Sequence, residues 1–100
     1  MLDAAMEIRQ YVQSSARQDL DYDRKLVHSL VRLLEIIGEA ASQTSKQLRD
    51  NAPSIPWSVL TGMRNRLIHA YFSINLDVVW STSTEDIPPL IEELSELLDK

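Results

Sequence analysis

An arginine and a histidine separated by four residues, Arg64 and His69, could together act on a phosphate group. A histidine, with an ordinary pKa near about 6.5, can transfer protons at neutral pH. A guanidinium can bond two phosphate oxygens at once and stabilise developing negative charge. Cleavage of RNA without a metal needs little more, because the neighbouring 2′-OH is the nucleophile. The bare spacing is weak evidence, and a histidine at the surface or at a helix end is the competing interpretation.

Both residues lie in the segment 56–72. Apolar residues recur there with a helical period, which predicts that the segment is the fourth helix of the chain. At about 100° per residue, Tyr71 lies about 20° from Arg64 on one flank of this helix. His69 lies about 140° from Arg64. A long arginine side chain, a helix end or a second copy of the protein must therefore bring Arg64 and His69 to one phosphate. Asn65 and Arg66, which lie between them, are candidate RNA-binding residues.

Two carboxylates, Glu35 and Glu39, form a second candidate cluster inside a strongly apolar segment. A metal site there is disfavoured, because His28 is the only other plausible ligand nearby and lies on a different stripe of the helix. We expect a structural role instead, in which Arg64 or Arg66 of a crossing helix pairs with these buried carboxylates. Gly38 and Gly62 would allow the close approach of the two helices.

Composition limits the classes of protein that the chain can belong to. Its 100 residues suit a single domain spanning 1–100, and 44% hydrophobic content with only two Gly and four Pro predicts a few long elements. The absence of cysteine excludes thiolate catalysis and a cysteine zinc site. No apolar run reaches the roughly 20 residues that span a bilayer, and the start of the chain lacks a signal-peptide pattern. We expect a cytoplasmic protein without a metal or cofactor.

Charge is unevenly distributed along the chain. The formal net charge of −5 argues against a general nucleic-acid coat protein, because such binding depends on Lys and Arg. The segments 1–43 and 75–100 carry net charges of −2 and −6, whereas 44–74 carries +3. Any polyanion would therefore meet the middle segment, although ordinary solvated charge explains the same distribution.

Helical periods predict an all-α fold, an up-and-down bundle of four to five helices. We expect helices over 2–12, 22–43, 45–50 and 56–72 and a last helical segment starting near Asn75, with no strand. Expected N-caps are Asp21 or Asp23, Thr44, Ser54 and Asn75. Pro88 and Pro89 should break, kink or restart the last helix.

Several segments, taken in order, resemble the HepT family of HEPN-domain toxins. These segments are EIIGEA from Glu35, IPW from Ile55, GMRNRLIHAYF from Gly62, and VW at Val79, followed by a proline-marked helix. The resemblance covers nearly the whole chain, and the eleven residues from Gly62 are its most specific part. Two features depart from the family pattern: the first helix is several residues short, and Asn75 stands where the family often has Asp.

The resemblance implies a dimerising helical bundle with an endoribonuclease site of the form R-x4-H-x-Y, shared between subunits. By match to that motif, Arg64 would bind phosphate, His69 would be the acid or base, and Tyr71 would be the motif tyrosine. Such toxins usually pair with a small nucleotidyltransferase antitoxin of the MNT type, which attaches AMP to the tyrosine. The alternative is a non-catalytic subunit that presents nucleotide or substrate to a nucleotidyltransferase, and the intact Arg64, Asn65 and His69 favour the ribonuclease.

Overall fold

Helices build nearly all of the fold, as the apolar periodicity predicts. A computed structural model describes residues 1–70 and 73–98, with the backbone alone for Arg64, for residues 68–70 and for Ser73. The helices are α1 (Leu2–Gln13), α2 (Arg24–Ser42), α3 (Lys46–Asn51), α4 (Trp57–Thr61), α5 (Met63–Leu67), α6 (Leu76–Ser81) and α7 (Ile87–Leu98). A 3-10 turn, Arg17–Asp21, joins α1 to α2, and a short antiparallel pair, β1 (Ile68–Ala70) and β2 (Ser73–Ile74), joins α5 to α6.

Helix α2 lies at the centre of the bundle and packs against α1, α4, α5 and α6. Its Leu30, Leu34 and Ile37 are fully buried and, at spacings of four and three residues, share the face that packs into the core. Each such side chain contributes about 1.5–3 kcal/mol by leaving water. Asp23 caps the helix by accepting from the Leu26 N–H. No helix in the described part of the chain is both long enough and apolar enough to cross a membrane.

The short helix α3 follows α2 after a sharp turn. Its N-cap is Ser45, which accepts from the Leu48 N–H, and not Thr44 as expected. Thr44 instead donates to the Ala40 carbonyl, which also accepts from the Gln43 N–H at the end of α2. The guanidinium of Arg49 also caps α2, donating to the carbonyls of its last turn. Arg49, one of the basic residues of the middle segment, therefore stabilises the end of α2.

A buried tryptophan fixes the start of α4. The Trp57 indole N–H donates to the Ala52 carbonyl at 3.0 Å, and the ring is 9% exposed. The residue before the helix is Pro56 rather than the expected cap Ser54. Proline has no N–H to lose at a helix start, so the position tolerates it. The hydrogen bond ties α4 to the turn that follows α3.

The last helix is continuous in path from Leu76 to Leu98, with a π-helical stretch, Thr82–Asp86, between α6 and α7. There the Ile87 N–H donates to the Thr82 carbonyl, one residue beyond the α-helical partner. Pro88 and Pro89 have no N–H and would clash with the preceding turn of a regular helix. The wider π turn accommodates them, so the prolines change the helical geometry without ending the helix.

Candidate functional site

The segment that carries the motif is a helix followed by a hairpin, not the single helix expected over 56–72. Helix α4 ends at Thr61, Gly62 lies between, and α5 ends at Leu67. The Leu67 carbonyl accepts from the Asn75 N–H at 2.8 Å, which closes the loop between α5 and α6. The expectation of a longer helix was wrong because hairpin pairing between β1 and β2 replaces helical hydrogen bonds after Leu67.

His69 lies at an irregularity of this hairpin. Ile68 pairs with Ile74 and Ala70 with Ser73, so β1 has one more residue than β2 between the two pairs. His69 is that extra residue, as in a β-bulge. Bulges redirect a side chain and are common beside active sites. The backbone thus gives the motif histidine a position that differs from both a regular strand and a helix.

The motif residues therefore occupy consecutive elements. Arg64 belongs to α5 and His69 to β1, and the side chains of both are outside the description. Tyr71 lies outside the described residues altogether. The helical-wheel angles between Arg64 and either residue do not apply, because the helix ends before both. Asn65 is exposed on α5.

Gly38 explains how α5 is held against α2. A Cβ built at Gly38 would lie 2.8 Å from the Leu60 carbonyl oxygen and 3.4 Å from the Met63 Cβ. The helix α4–α5 therefore crosses α2 at a point that only glycine permits, as the sequence suggested. Gly62 has no such role, since its nearest neighbours are carbonyls of its own helix, at 3.5 Å and beyond.

Glu35 and Glu39 border this crossing and are not buried, contrary to the expectation. Glu39 is exposed and Glu35 is partly buried. They line a small polar groove of about 270 Å³ together with Arg32, Gly38, Ser42 and Thr61. Both carboxylates keep contact with water, because they lie on the solvent-facing side of α2 and not on its core face. Among the described residues, no group of three or more potential metal ligands could hold an ion.

Arg66, a predicted RNA contact, lies in a negatively charged neighbourhood. Its guanidinium is 3.9 Å from Asp86, and both side chains are about half exposed. The two residues line a groove of about 560 Å³ that also contains Glu85 and Glu93, with a floor that includes Leu60, Met63 and Leu90. Nearby carboxylates repel a phosphate, so Asp86 opposes the approach of an anion to this arginine.

Arg17 fixes the start of α6, directly after the hairpin. Its guanidinium bonds Asp77 at 2.7 Å and Asp21 at 3.2 Å. The hydrogen bond to Asp77 raises the pKa of Arg17 further above its already high value, so the charge persists at every working pH. Asn75 caps the same helix by accepting from the Val78 N–H, as predicted. Sequence reasoning missed Arg17, since its partner is 60 positions away and no local pattern marks the pair.

The fold and the motif define a class: a small helical bundle that carries an arginine and a histidine around the end of one helix. Residues 1–97 match the family described as "Ribonuclease HepT-like". The chain belongs to the HepT-like ribonuclease family.

Named relatives agree with this assignment. A protein of Caldanaerobacter subterraneus named as a "Putative RNase" is 40% identical over 83% of this chain and 74% of the relative. A "Probable ribonuclease HepT" of Thermococcus cleftensis is 37% identical over 90% of this chain and 82% of the relative. A Methanocaldococcus jannaschii protein named "Gamma-glutamylcyclotransferase and putative RNase" is 30% identical, covering all of this chain and 45% of the relative. No solved structure matches the chain significantly.

Proposed function

We propose that this protein is a metal-independent endoribonuclease and the toxin of a toxin–antitoxin pair, with Arg64 and His69 as its catalytic residues. The observation that carries the proposal is the R-x4-H motif of a HepT-like ribonuclease, with its histidine at a bulge directly after the arginine's helix. Four residues separate Arg64 from His69 in the sequence, and in this proposal both act on one phosphodiester. The relatives' names support RNA as the substrate.

The reaction is a transesterification within the RNA. A base removes the proton from the 2′-OH, the 2′-oxygen attacks phosphorus, and the bond to the 5′-oxygen breaks as an acid protonates it. The products end in a 2′,3′-cyclic phosphate and a 5′-OH. Arg64 bonds the phosphate oxygens and stabilises the charge that grows on them in the transition state. Asn65 and Arg66 contact neighbouring parts of the RNA.

The proposed active form is a homodimer in which the α4–α5 helices of the two copies approach each other. One histidine in a given protonation state is either the base or the acid, and the reaction needs both. A two-fold axis that brings the two His69 residues to one cleft supplies the second group. This arrangement also brings two Arg64 residues to the same polyanion.

The proposed control is covalent. A nucleotidyltransferase antitoxin of the MNT type transfers AMP from ATP to the hydroxyl of Tyr71, forming a phosphodiester and releasing pyrophosphate. The added group carries a bulky nucleotide and a negative charge two positions from His69 in the sequence. In this proposal it excludes the RNA phosphate from the motif by its size and by charge repulsion. Inhibition then needs no refolding.

Substitution of the two motif residues tests the catalytic proposal. Arg64→Ala and His69→Ala should each reduce RNA cleavage by about 10²-fold or more, while far-ultraviolet circular dichroism shows unchanged helical content. Arg9→Ala, which removes a half-buried arginine from α1, is the matched control and should cleave like the wild type. A His69→Ala protein that is folded and fully active would exclude this histidine from the chemistry.

A further inference from the structure

The solvent-facing side of α2 has an unusual order of charges. Lys25, His28, Arg32, Glu35 and Glu39 recur there at intervals of three or four residues, and we call this row the α2 stripe. Four of the five side chains are exposed and Glu35 is partly buried. The first half of the stripe is basic and the second half is acidic, so the helix carries its own charge dipole.

The charge order of the stripe does not serve the ends of its own helix. A helix N-terminus favours acidic side chains and a C-terminus favours basic ones, and α2 obtains these from outside the stripe, from its N-cap Asp23 and from Arg49 at its last turn. Within the stripe, Arg32 and Glu35 are favourably spaced at i and i+3, whereas Glu35 and Glu39 are like charges at i and i+4. Neither capping nor spacing within the helix therefore accounts for the acidic half of the stripe at its C-terminal end.

The charges of the stripe are not used elsewhere in the described part of the chain. The four ion pairs there join Arg17 to Asp21 and Asp77, Lys46 to Asp50, and Arg66 to Asp86. Open grooves also flank α2 on both sides. Arg32 borders both, with Tyr11 and His28 lining the one beside α1 and Glu39 and Thr61 the one beside α4.

We infer that the α2 stripe is the face that binds a second copy of this chain, with the two α2 helices antiparallel across a two-fold axis. Arg32 and Glu39 are seven residues, or about two turns, apart, so they share one face. With the axis midway between positions 35 and 36, Arg32 faces Glu39 of the partner subunit and Glu39 faces the partner's Arg32. Such a contact is self-complementary, as a two-fold interface requires, and it opposes the two helix dipoles favourably.

The half-buried Ile36 lies next to the axis in this arrangement and supplies apolar contact between the two copies. The inference rests on the dimer of the proposed function and names its surface. The crossing at Gly38 places α4 and α5 beside α2. The same axis therefore brings the motif-bearing α5 helices of both copies to one side of the dimer.

Charge reversal tests this arrangement, because only a contact between Arg32 and the partner's Glu39 predicts that two single reversals weaken the dimer and that combining them restores it. Arg32→Glu places two carboxylates together at each of the two symmetric contacts, and Glu39→Arg places two guanidinium groups together there. Each variant should dimerise about tenfold or more weakly at low ionic strength, measured by sedimentation velocity over a concentration series. The double variant R32E/E39R should regain dimerisation. A mixture of the two single variants should form the heterodimer selectively, because opposite charges then meet at both symmetric contacts.

Native mass spectrometry of that mixture, with one variant isotope-labelled, counts homodimers and heterodimers directly. Glu96→Arg, a charge reversal at an exposed position of α7, is the control and should dimerise like the wild type. Single variants that dimerise normally, or a mixture without heterodimer enrichment, would overturn the inference. RNA cleavage, assayed on the same samples, separates the two proposals. Variants that dimerise as the α2 stripe predicts but cleave no RNA would refute only the proposed ribonuclease activity. Active dimers whose affinity does not change on charge reversal would refute only the proposed interface at the α2 stripe.

Discussion

Adding one methyl group at Gly38 should push α4 away from α2. The Cβ of Gly38→Ala would lie 2.8 Å from the Leu60 carbonyl oxygen, where van der Waals contact requires 3.4 Å or more. The obstacle is backbone of a packed helix and cannot rotate aside like a side chain. Leu60 itself is 3% exposed, so any retreat of α4 also loosens the core beneath it.

Two opposing effects set the magnitude. Alanine is favoured over glycine in a helix interior by about 0.8–1.0 kcal/mol. Overpacking that shifts backbone costs about 1–3 kcal/mol. We expect the steric cost to exceed the propensity gain, leaving a net destabilisation of about 1 kcal/mol, which lowers the melting temperature by about 4–8 °C in a domain of this size.

Gly62→Ala provides the matched control, because its Cβ would meet only the Ser58 carbonyl oxygen, at 3.5 Å, and the Val59 carbonyl oxygen, at 3.9 Å, and Gly62 has no positive φ. This variant should be stabilised by about 0.4–1 kcal/mol, because alanine reduces the conformational entropy of the unfolded chain. Urea unfolding at one fixed protein concentration, followed by circular dichroism, measures both changes. Equal stabilisation by the two substitutions would refute the close approach at Gly38.

Three further outcomes are expected. Trp57→Phe should lower the free energy of unfolding by about 0.5–1.5 kcal/mol in the same urea assay, because the buried Ala52 carbonyl loses one of two donors and keeps the Ile55 N–H; unchanged stability would show that the hydrogen bond contributes nothing. Asp86→Asn should tighten RNA binding by up to about fivefold at low salt by releasing Arg66, as measured by fluorescence anisotropy, whereas Asp50→Asn, the corresponding change at a pair on α3, should not, and equal effects would remove Arg66 from the interface. Tyr71→Phe should keep ribonuclease activity but escape inhibition by the nucleotidyltransferase and ATP, and an adduct mapped elsewhere by mass spectrometry would exclude this tyrosine.

The sequence predicts the helices that have a strong apolar face. Leu2–Gln13 and Arg24–Ser42 match their expected ranges within two residues, since burial of one face fixes both the period and the length. Asp23 and Asn75 cap helices as expected, because a capping carboxylate or amide acts on N–H groups only three residues away. These features depend on local chemistry, which the sequence shows directly.

Features in which two local structures compete, or in which distant segments meet, are not visible in the same way. Residues 68–72 continue a helical apolar pattern, but a hairpin between β1 and β2 replaces the helix after Leu67. The exposure of Glu35 and Glu39 depends on which part of α2 the crossing helix covers. The motif residues could be chosen from their types and the family resemblance, whereas their geometry depends on the hairpin.

The central claim is that this chain cleaves RNA at Arg64 and His69 without a metal, and one measurement tests it most directly. Purified wild-type protein and His69→Ala are incubated with single-stranded RNA in excess EDTA, and the 3′ ends of the products are identified by mass spectrometry. The account predicts cleavage by the wild type in EDTA, with 2′,3′-cyclic phosphate ends and a 5′-OH on the other product, and no cleavage by His69→Ala. Loss of wild-type cleavage in EDTA, or identical products from His69→Ala, would contradict it.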